Sequence, residues 1–261
     1  MMARFRSFTF GGLLAAALLA PLPATAESNE EALARFEGPL CPGVVGLRRE
    51  AAEMMVGRIR ATAETLGLRM APEGDCEANL VVGFVDDGQA FLNQLRNERR
   101  YIFAELTREE RLELLNETGP ARAMLRVRSR TRDGMPISRR ESLGELPQTA
   151  MWMAHSKIYI ATRNDIISAL VLFDRDEIRD LNLTQLADYA TFRALVHQLP
   201  DPAGAGQASI LSLFDSAAER PASLTDFDLA YMRTLYSGLA NLPAPAKLAE
   251  LEQATGVRTR E

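Results

Sequence analysis

The sequence has few of the side chains from which metal centres are built. It contains 2 cysteines and 2 histidines in 261 residues. Those numbers exclude a four-cysteine zinc site and a three-histidine catalytic zinc site, and no Cys2His2 spacing is present. A glycine-rich phosphate loop and a Gly-x-Ser-x-Gly nucleophile motif are also absent. The sequence therefore predicts no bound metal and no cofactor.

An excess of positive charge is missing as well. Lys and Arg number 30 against 35 Asp and Glu, which gives a formal net charge of −5 at pH 7. Nucleic-acid binders that rely on a positive field need the opposite balance, so we predict no nucleic-acid partner. Because 47% of the residues are hydrophobic and 25% are charged, the chain has enough apolar side chains to bury a core.

Only the N-terminus carries a long apolar run. Two arginines precede an uncharged stretch at 8–22, and Ala-Thr-Ala at 24–26 supplies a small-x-small cleavage pattern. This arrangement predicts a signal peptide at 1–26, cleaved after Ala26, and a periplasmic or secreted mature protein. An uncleaved membrane anchor is the alternative, but the run is shorter than the ~20 residues that a spanning helix needs. We predict no membrane span after cleavage.

Export changes the interpretation of the two cysteines, Cys41 and Cys76. In an oxidising compartment an even number of cysteines favours a disulfide, which here closes a loop around the helix between them. The alternative is a reactive thiol, but neither cysteine has a nearby histidine or a Cys-x-x-Cys spacing. We therefore predict a disulfide between Cys41 and Cys76.

Apolar spacing predicts the order of secondary structure along the chain. Three- and four-residue intervals indicate helices, while alternating or continuous β-branched runs indicate strands. Thr107 with Glu110 and Thr225 with Asp228 have the spacing of capping boxes, which mark helix starts. The predicted helices lie at 48–66, 89–105, 107–117, 183–199 and from 225 onward, and the predicted strands at 79–85, 121–132, 156–162 and 166–173.

This order contains no regular β-α-β series and predicts an α+β fold. We expect a single compact domain at 48–242, with a small mixed sheet and flanking helices. A lead-in segment at 27–47 precedes the domain, and a C-terminal tail at 243–261 follows it. The polar triplet at 163–165 is expected to separate the last two strands.

The strongest concentration of charge lies on the predicted strand at 121–132. Its alternation places five arginines on one face of the strand: Arg122, Arg126, Arg128, Arg130 and Arg132. Adjacent guanidinium groups bind phosphate or carboxylate well, so this face is a candidate site for a small anionic ligand or an acidic protein. The alternative is a solvated face whose arginines pair with the acidic residues of the chain.

Several short motifs resemble a known family. They are Cys-Pro-Gly-Val-Val-Gly-Leu at 41–47, Ala-Asn-Leu-Val-Val-Gly-Phe-Val-Asp-Asp at 78–87, Ser-Ile-Leu-Ser-Leu-Phe-Asp at 209–215, Leu-Thr-Asp-Phe-Asp at 224–228 and Leu-Tyr at 235–236. They resemble exported bacterial proteins of domain-of-unknown-function family 2927, which is similar to the zincin metallopeptidases. The resemblance implies a zincin-like scaffold of strands, an active-site helix and a further helix.

In a zincin, the predicted helix at 183–199 would carry the motif His-Glu-x-x-His. The resemblance aligns it with Gln-Leu-Ala-Asp-Tyr at 185–189, where Gln and Tyr replace the zinc ligands and Leu replaces the general base. It therefore implies a non-catalytic, zincin-like binding or interaction module with an unknown protein partner. The alternative is a metallopeptidase-like hydrolase with an unconventional site on this helix, formed by Gln185, Asp188, Tyr189 and His197.

Overall fold

A sheet of four strands lies at the centre of the fold. The strands are β1 (Pro42–Val45), β2 (Leu80–Val85), β3 (Ala121–Thr131) and β4 (Thr162–Asp174). Their order across the sheet is β1-β2-β4-β3. β1, β2 and β4 run parallel to one another, while β3 runs antiparallel to β4 and forms one edge.

Helices connect and cover these strands. They are α1 (Arg49–Thr65), α2 (Gly88–Glu98), α3 (Arg100–Phe103), α4 (Arg108–Asn116), α5 (Leu183–Leu195), α6 (Asp226–Tyr236) and α7 (Ala244–Thr255). Short 3₁₀ turns lie at Arg175–Glu177 and Ile210–Phe214. The computed structural model describes residues 31–137, 160–203, 206–216 and 218–257, and all of these strands and helices lie within those ranges.

Both faces of the sheet are covered, so the core has two parts. On one face, α1 and α5 pack on each other and α5 packs on β4, which forms the larger cluster of buried side chains. On the other face, the region of α2, α3 and α4 encloses a smaller cluster around Leu92, Phe103 and Leu114. Leu172 and Phe173 are neighbours in β4, yet one lies in each cluster. Burial on both faces explains the continuous apolar run of this strand.

The structure confirms the predicted α+β fold, a single domain whose small mixed sheet has helices on its flanks. The periodic segment at 48–66 forms α1, and the apolar run at 79–85 forms β2. Both predicted capping boxes are present at the starts of α4 and α6, where a threonine side chain and an acidic side chain exchange hydrogen bonds with each other's backbone. These contacts satisfy N–H groups that the first helical turn leaves free.

The prediction of two strands separated at 163–165 is wrong, because β4 is one continuous strand. Its polar first half pairs with β3 across a register shift that marks a β-bulge. Asp165 forms ion pairs with Arg163 (2.8 Å) and Arg130 (3.3 Å), so these charged side chains compensate one another on the sheet. Most of the predicted strand at 156–162 lies outside the described residues, as does the signal peptide predicted at 1–26.

Two predicted helices are shorter in the structure. The helix expected at 89–105 breaks at Arg99, whose φ of −127° and ψ of 54° are not helical, and the chain resumes as α3. The helix expected at 183–199 ends at Leu195, because Val196 is extended with a φ of −115° and a ψ of 107°. His197 therefore lies in the segment that follows α5 rather than on the helix.

Described segments on either side of 48–242 pack on the predicted domain. Ala32, in the predicted lead-in segment, forms a β-bridge with Pro243. Ala244 donates a backbone hydrogen bond to Glu31 (2.9 Å). α7, which lies in the predicted tail, packs on α6 and buries Leu251. The first and last described segments therefore pack on the domain and on each other.

The predicted disulfide is present, with Sγ of Cys41 and Cys76 2.00 Å apart. It joins the residue before β1 to the segment that leads into β2, so the closed loop contains β1 and α1. Within the described ranges, none of the helices combines the length and the apolar character needed to cross a bilayer.

Candidate functional site

A cleft of about 470 Å³ lies at the edge of the sheet, between α4, β3 and the segment that follows α5. Its floor is the edge strand itself, at Ala123, Met124 and Leu125. The walls are largely apolar, with Leu106 and Leu114 on the α4 side and Val196 and Leu199 on the α5 side. The volume falls within the range of about 300–1,000 Å³ that is typical of ligand-binding clefts.

The backbone of β3 presents hydrogen-bonding groups to this cleft. Asp174 donates its N–H to the carbonyl of Pro120 (2.9 Å), so the even-numbered residues of this strand direct their backbone groups toward β4. The N–H and C=O groups of Ala123, Leu125 and Val127 therefore point away from the sheet. No strand of the described residues pairs with this outer edge between 121 and 129. The cleft thus lies along a stretch of the sheet edge that no described strand pairs with.

One end of the cleft is bounded by a chain of three polar side chains. Glu117, which follows α4, accepts the N–H of Ala123 with Oε2 (3.4 Å) and a hydrogen bond from Nη2 of Arg193 with Oε1 (2.8 Å). Nη1 of Arg193 donates to the hydroxyl of Tyr189 (3.0 Å). The Cζ atom of Arg193 also lies 5.8 Å from the centre of the Tyr189 ring, in cation–π contact.

Burial affects the protonation of Tyr189 and Arg193, the two α5 residues among these three polar side chains. It raises the pKa of the Tyr189 hydroxyl, because a phenolate would be poorly solvated there. Burial works against the charge on Arg193, but the oxygens of Tyr189 and Glu117 hold the pKa of this guanidinium above its ordinary value. The two groups are therefore a neutral phenol and a fixed cation at pH 7.

The other end of the cleft is bounded by His197 and Glu110. Nε2 of His197 lies 3.1 Å from Oε1 of Glu110, and Oε2 of the same carboxylate accepts the N–H of Thr107 (2.6 Å). The contact with His197, helped by the Thr107 backbone, lowers the pKa of Glu110 to about 2. This pair links α4 to the segment after α5.

The low pKa of Glu110 predicts a contribution to stability that depends on pH. Because the folded-state pKa lies below the ordinary value of 4.5, the contribution is complete above pH 4.5 and is lost as the pH falls toward 2. We expect Glu110→Gln to preserve the capping box. After allowance for partial exposure, it is expected to reduce the acid-induced fall in the free energy of unfolding by about 1–2 kcal/mol. Urea unfolding at pH 7, 4.5 and 3 measures the effect.

Glu113→Gln is the matched control for this measurement. It removes a carboxylate from the same helix but leaves the contact between His197 and Glu110 in place. This variant is expected to keep the pH dependence of the wild type. An equal loss of pH dependence in both variants would show that the overall charge of α4 is responsible, and not the contact with His197.

Gln185 and Asp188, predicted for a hydrolase site, have other partners in the structure. Gln185 completes a capping box with Asn182 at the start of α5. Asp188 is fully buried and accepts two hydrogen bonds from Arg58 of α1, both 2.8 Å long, and one from the N–H of Leu224 (2.9 Å). Gln185 thus stabilises the start of α5, and Asp188 links α5 to α1 and to the segment before α6.

Tyr189 and His197 complete the predicted hydrolase set. Tyr189 packs edge-on against Phe214 and reaches the cleft only through Arg193. His197 lines the cleft directly. Of the four predicted residues, the structure therefore places one in the cleft and one behind its wall, and it does not bring the four together.

The arginine face of β3 is engaged in contacts with its own chain. Arg122 pairs with Asp174 (2.8 Å), and Arg126 pairs with Glu105 (2.7 Å). Arg128 also binds Glu105, Arg130 pairs with Asp165, and Arg132 lies just beyond the end of the strand. Binding of a small anion by this face stays a prediction.

Sequence reasoning did not single out Glu117 and Arg193. Their separation of 76 residues leaves no local signal of their contact. The only hint is the helical spacing of Glu110, Glu113 and Glu117, which places three carboxylates on one side of α4 and its C-terminal extension. All three line the cleft.

The cleft has no metal-binding cluster. In the ranges that the structure describes, no group of three His, Cys, Asp or Glu side chains is arranged to hold a metal ion. No family model, curated protein or solved structure matches the chain. Any function for the cleft must therefore be inferred from its own geometry.

Proposed function

We propose that this protein is a non-catalytic binding module, exported to the periplasm or secreted, that holds an extended segment of a partner protein in the cleft. The observation that carries this proposal is the position of the β3 edge, which no described strand pairs with between 121 and 129, at the floor of a cleft with apolar walls. An extended peptide that adds to a sheet edge gains backbone hydrogen bonds, and alternate side chains fill pockets on either side.

The two walls of the cleft suit the alternating side chains of an added strand. Leu125 packs with the larger core cluster on the α5 side, and Met124 belongs to the smaller cluster on the α4 side. The residue of a new strand opposite Leu125 would therefore face the α5 wall, and its neighbours would face the α4 wall. Both walls offer leucine or valine side chains for contact.

The charges of the groove favour a basic segment. α4 and its extension bring three carboxylates to the rim, whereas the α5 side brings Arg193 and His197. Among the described residues, Glu113 has no ion-pair partner and lies exposed at this rim. A lysine facing the α4 wall would cover Leu114 with its aliphatic stem and place its ammonium group near Glu113.

A second copy of this chain fits the edge poorly. α4 and the end of α5 stand on both sides of β3, so two copies would meet wall to wall before their edges came within hydrogen-bonding distance. We therefore commit to an extended, basic segment of another protein.

The test uses a capped pentapeptide, acetyl-Val-Lys-Val-Lys-Val-amide, titrated into the mature protein by calorimetry. We expect Leu125→Pro to lower its affinity about tenfold relative to Leu125→Ala, because proline removes the outward N–H while the bonds to β4 stay intact. Tenfold corresponds to about 1.4 kcal/mol, close to the contribution of one hydrogen bond. Leu125→Ala controls for the lost side chain.

A second pair of peptides tests the same hydrogen bonds from the partner's side. Methylation of the central valine nitrogen removes the donor to the carbonyl of Leu125, and we expect it to weaken binding to a similar extent. Equal affinity of both peptides for both variants, or no binding at millimolar peptide, would contradict strand addition. Stoichiometric zinc in protein purified from the periplasm, lost on Gln185→Ala, would contradict the non-catalytic part of the proposal.

A further inference from the structure

The cleft already contains one bound carboxylate, the side chain of Glu117. Glu117 places Oε1 on Nη2 of Arg193 (2.8 Å) and Oε2 on the backbone N–H of Ala123 (3.4 Å). One donor is a fixed cation, and the other is an outward N–H of the edge strand β3. Together they bind both oxygens of a carboxylate at the end of the groove.

The donor side of this arrangement is preorganised. Arg193 is largely buried, with 13% of its side chain exposed. Tyr189 accepts a hydrogen bond from Nη1 and lies beneath the guanidinium, so Nη2 is directed at the groove. The Tyr189 ring is in turn held by Phe173 and Phe214. Preorganised donors of this kind bind an anion with little loss of side-chain freedom.

The acceptor side is replaceable. Glu117 follows the last residue of α4 in extended backbone, with a φ of −60° and a ψ of 119°. Its carboxylate stands on a side chain outside the helix, 25% of which is exposed. Another carboxylate at the same place would meet the same two donors, and Glu117 would turn to the solvent without any change to α4.

We propose that the cleft recognises the C-terminal carboxylate of the bound segment, which takes the place of the Glu117 side chain between Arg193 and the N–H of Ala123. This inference rests on the proposed function, and it fixes the direction of the added strand. A segment that ends opposite Ala123 runs antiparallel to β3. Its residue two positions earlier then lies opposite Leu125, where it exchanges both backbone hydrogen bonds with the edge.

The test compares two forms of the same pentapeptide, Val-Lys-Val-Lys-Val, one with a free C-terminal carboxylate and one with an amide. We expect the acid to bind the wild-type protein about tenfold more tightly than the amide, because only the acid forms charge-assisted hydrogen bonds with Arg193. N-acetylvaline supplies the carboxylate without the strand, and we expect it to bind at least about a hundredfold more weakly than the acid peptide.

Three variants assign the preference to this site. Glu117→Ala removes the internal competitor, so we expect the ratio of the acid's affinity to the amide's affinity to rise about tenfold. Arg193→Gln is expected to abolish the difference between the two peptides. Glu113→Ala, which removes a carboxylate from the same rim but not from this site, is expected to change both affinities by the same factor.

Each outcome bears on one proposal alone. Equal binding of acid and amide by both the wild type and Glu117→Ala would overturn carboxylate recognition and leave strand addition in place. N-acetylvaline that binds as well as the acid peptide would show that the site takes small carboxylates rather than a chain end, and would overturn the inference in the same way. The Glu117→Ala comparison does not depend on whether Arg193→Gln folds.

Discussion

Replacement of Asp188 by asparagine is expected to lower the free energy of unfolding by about 3 kcal/mol. The carboxylate is fully buried and accepts hydrogen bonds from Nε and Nη2 of Arg58 and from the N–H of Leu224. An asparagine has the same shape but offers one oxygen and one NH₂ group. That NH₂ group would face a donor, so one buried hydrogen bond becomes a donor–donor contact.

Urea unfolding of wild type and Asp188→Asn at pH 7 measures this loss. Asp176→Asn is the matched control, because it makes the same chemical change in an ion pair with Arg179 whose two side chains are 78% and 73% exposed. We expect a change below about 0.5 kcal/mol there. An Asp188→Asn protein as stable as the control would show that the buried contact adds little to the folded state.

The measured stability also distinguishes a structural role for Asp188 from a catalytic one. Asp188 is one of the four residues of the predicted hydrolase site, which is a catalytic interpretation of its carboxylate. Its contacts instead join α5 to α1 and to the loop before α6, which is the role of a structural link. A group held by three hydrogen bonds inside the core has no open side toward the cleft.

Much of the fold could be predicted because its signals are local. A capping box acts over four residues, so Thr107 with Glu110 and Thr225 with Asp228 mark helix starts regardless of the rest of the chain. The apolar spacing of α1 reports directly on the face that it buries. Such segments form the same structure in the folded protein that their own sequence favours.

β4 shows where local signals fail. Arg-Asn-Asp at 163–165 has the composition of a turn, and only the neighbouring strand makes it part of the sheet. Arg163 of the same strand and Arg130 of β3 both pair with Asp165, which lies on the strand with 9% of its side chain exposed. A partner more than thirty positions away along the chain is invisible to any short-range pattern.

The cleft could not be predicted for a related reason. It exists because β3 lies at the edge of the sheet and because α4 and the end of α5 stand on either side of that edge. His197 is the one predicted site residue that lines it, and it does so because the chain leaves the helix at Val196. The contact of Glu117 with Arg193 follows from the same placement of elements.

The disulfide provides the second large expected effect. The double variant Cys41→Ser/Cys76→Ser is expected to be about 4 kcal/mol less stable than the oxidised wild type, because the bond closes a loop across a sequence separation of 35 residues. In the loop-entropy model this stabilisation arises from restriction of the unfolded chain. The folded structure is therefore expected to keep its secondary structure without the bond.

Contacts around the bond support that expectation. The Cys41 N–H donates to the side chain of Asn79 (2.8 Å), and the Cys41 carbonyl accepts the N–H groups of Asn79 and Leu80. These hydrogen bonds hold β1 next to β2 whether or not the sulfur atoms are joined. A circular dichroism spectrum of the variant that matches the wild type, together with a lower urea midpoint, is the expected pair of results.

Dithiothreitol provides the internal control for this experiment. It is expected to lower the urea midpoint of the wild type to that of the double variant and to leave the variant unchanged, since the chain has no other cysteines. Thiol titration of the unfolded, unreduced mature protein is expected to find no free thiol. Two free thiols per chain, or a midpoint that dithiothreitol does not move, would contradict a stabilising bond between Cys41 and Cys76, and the two results would do so independently.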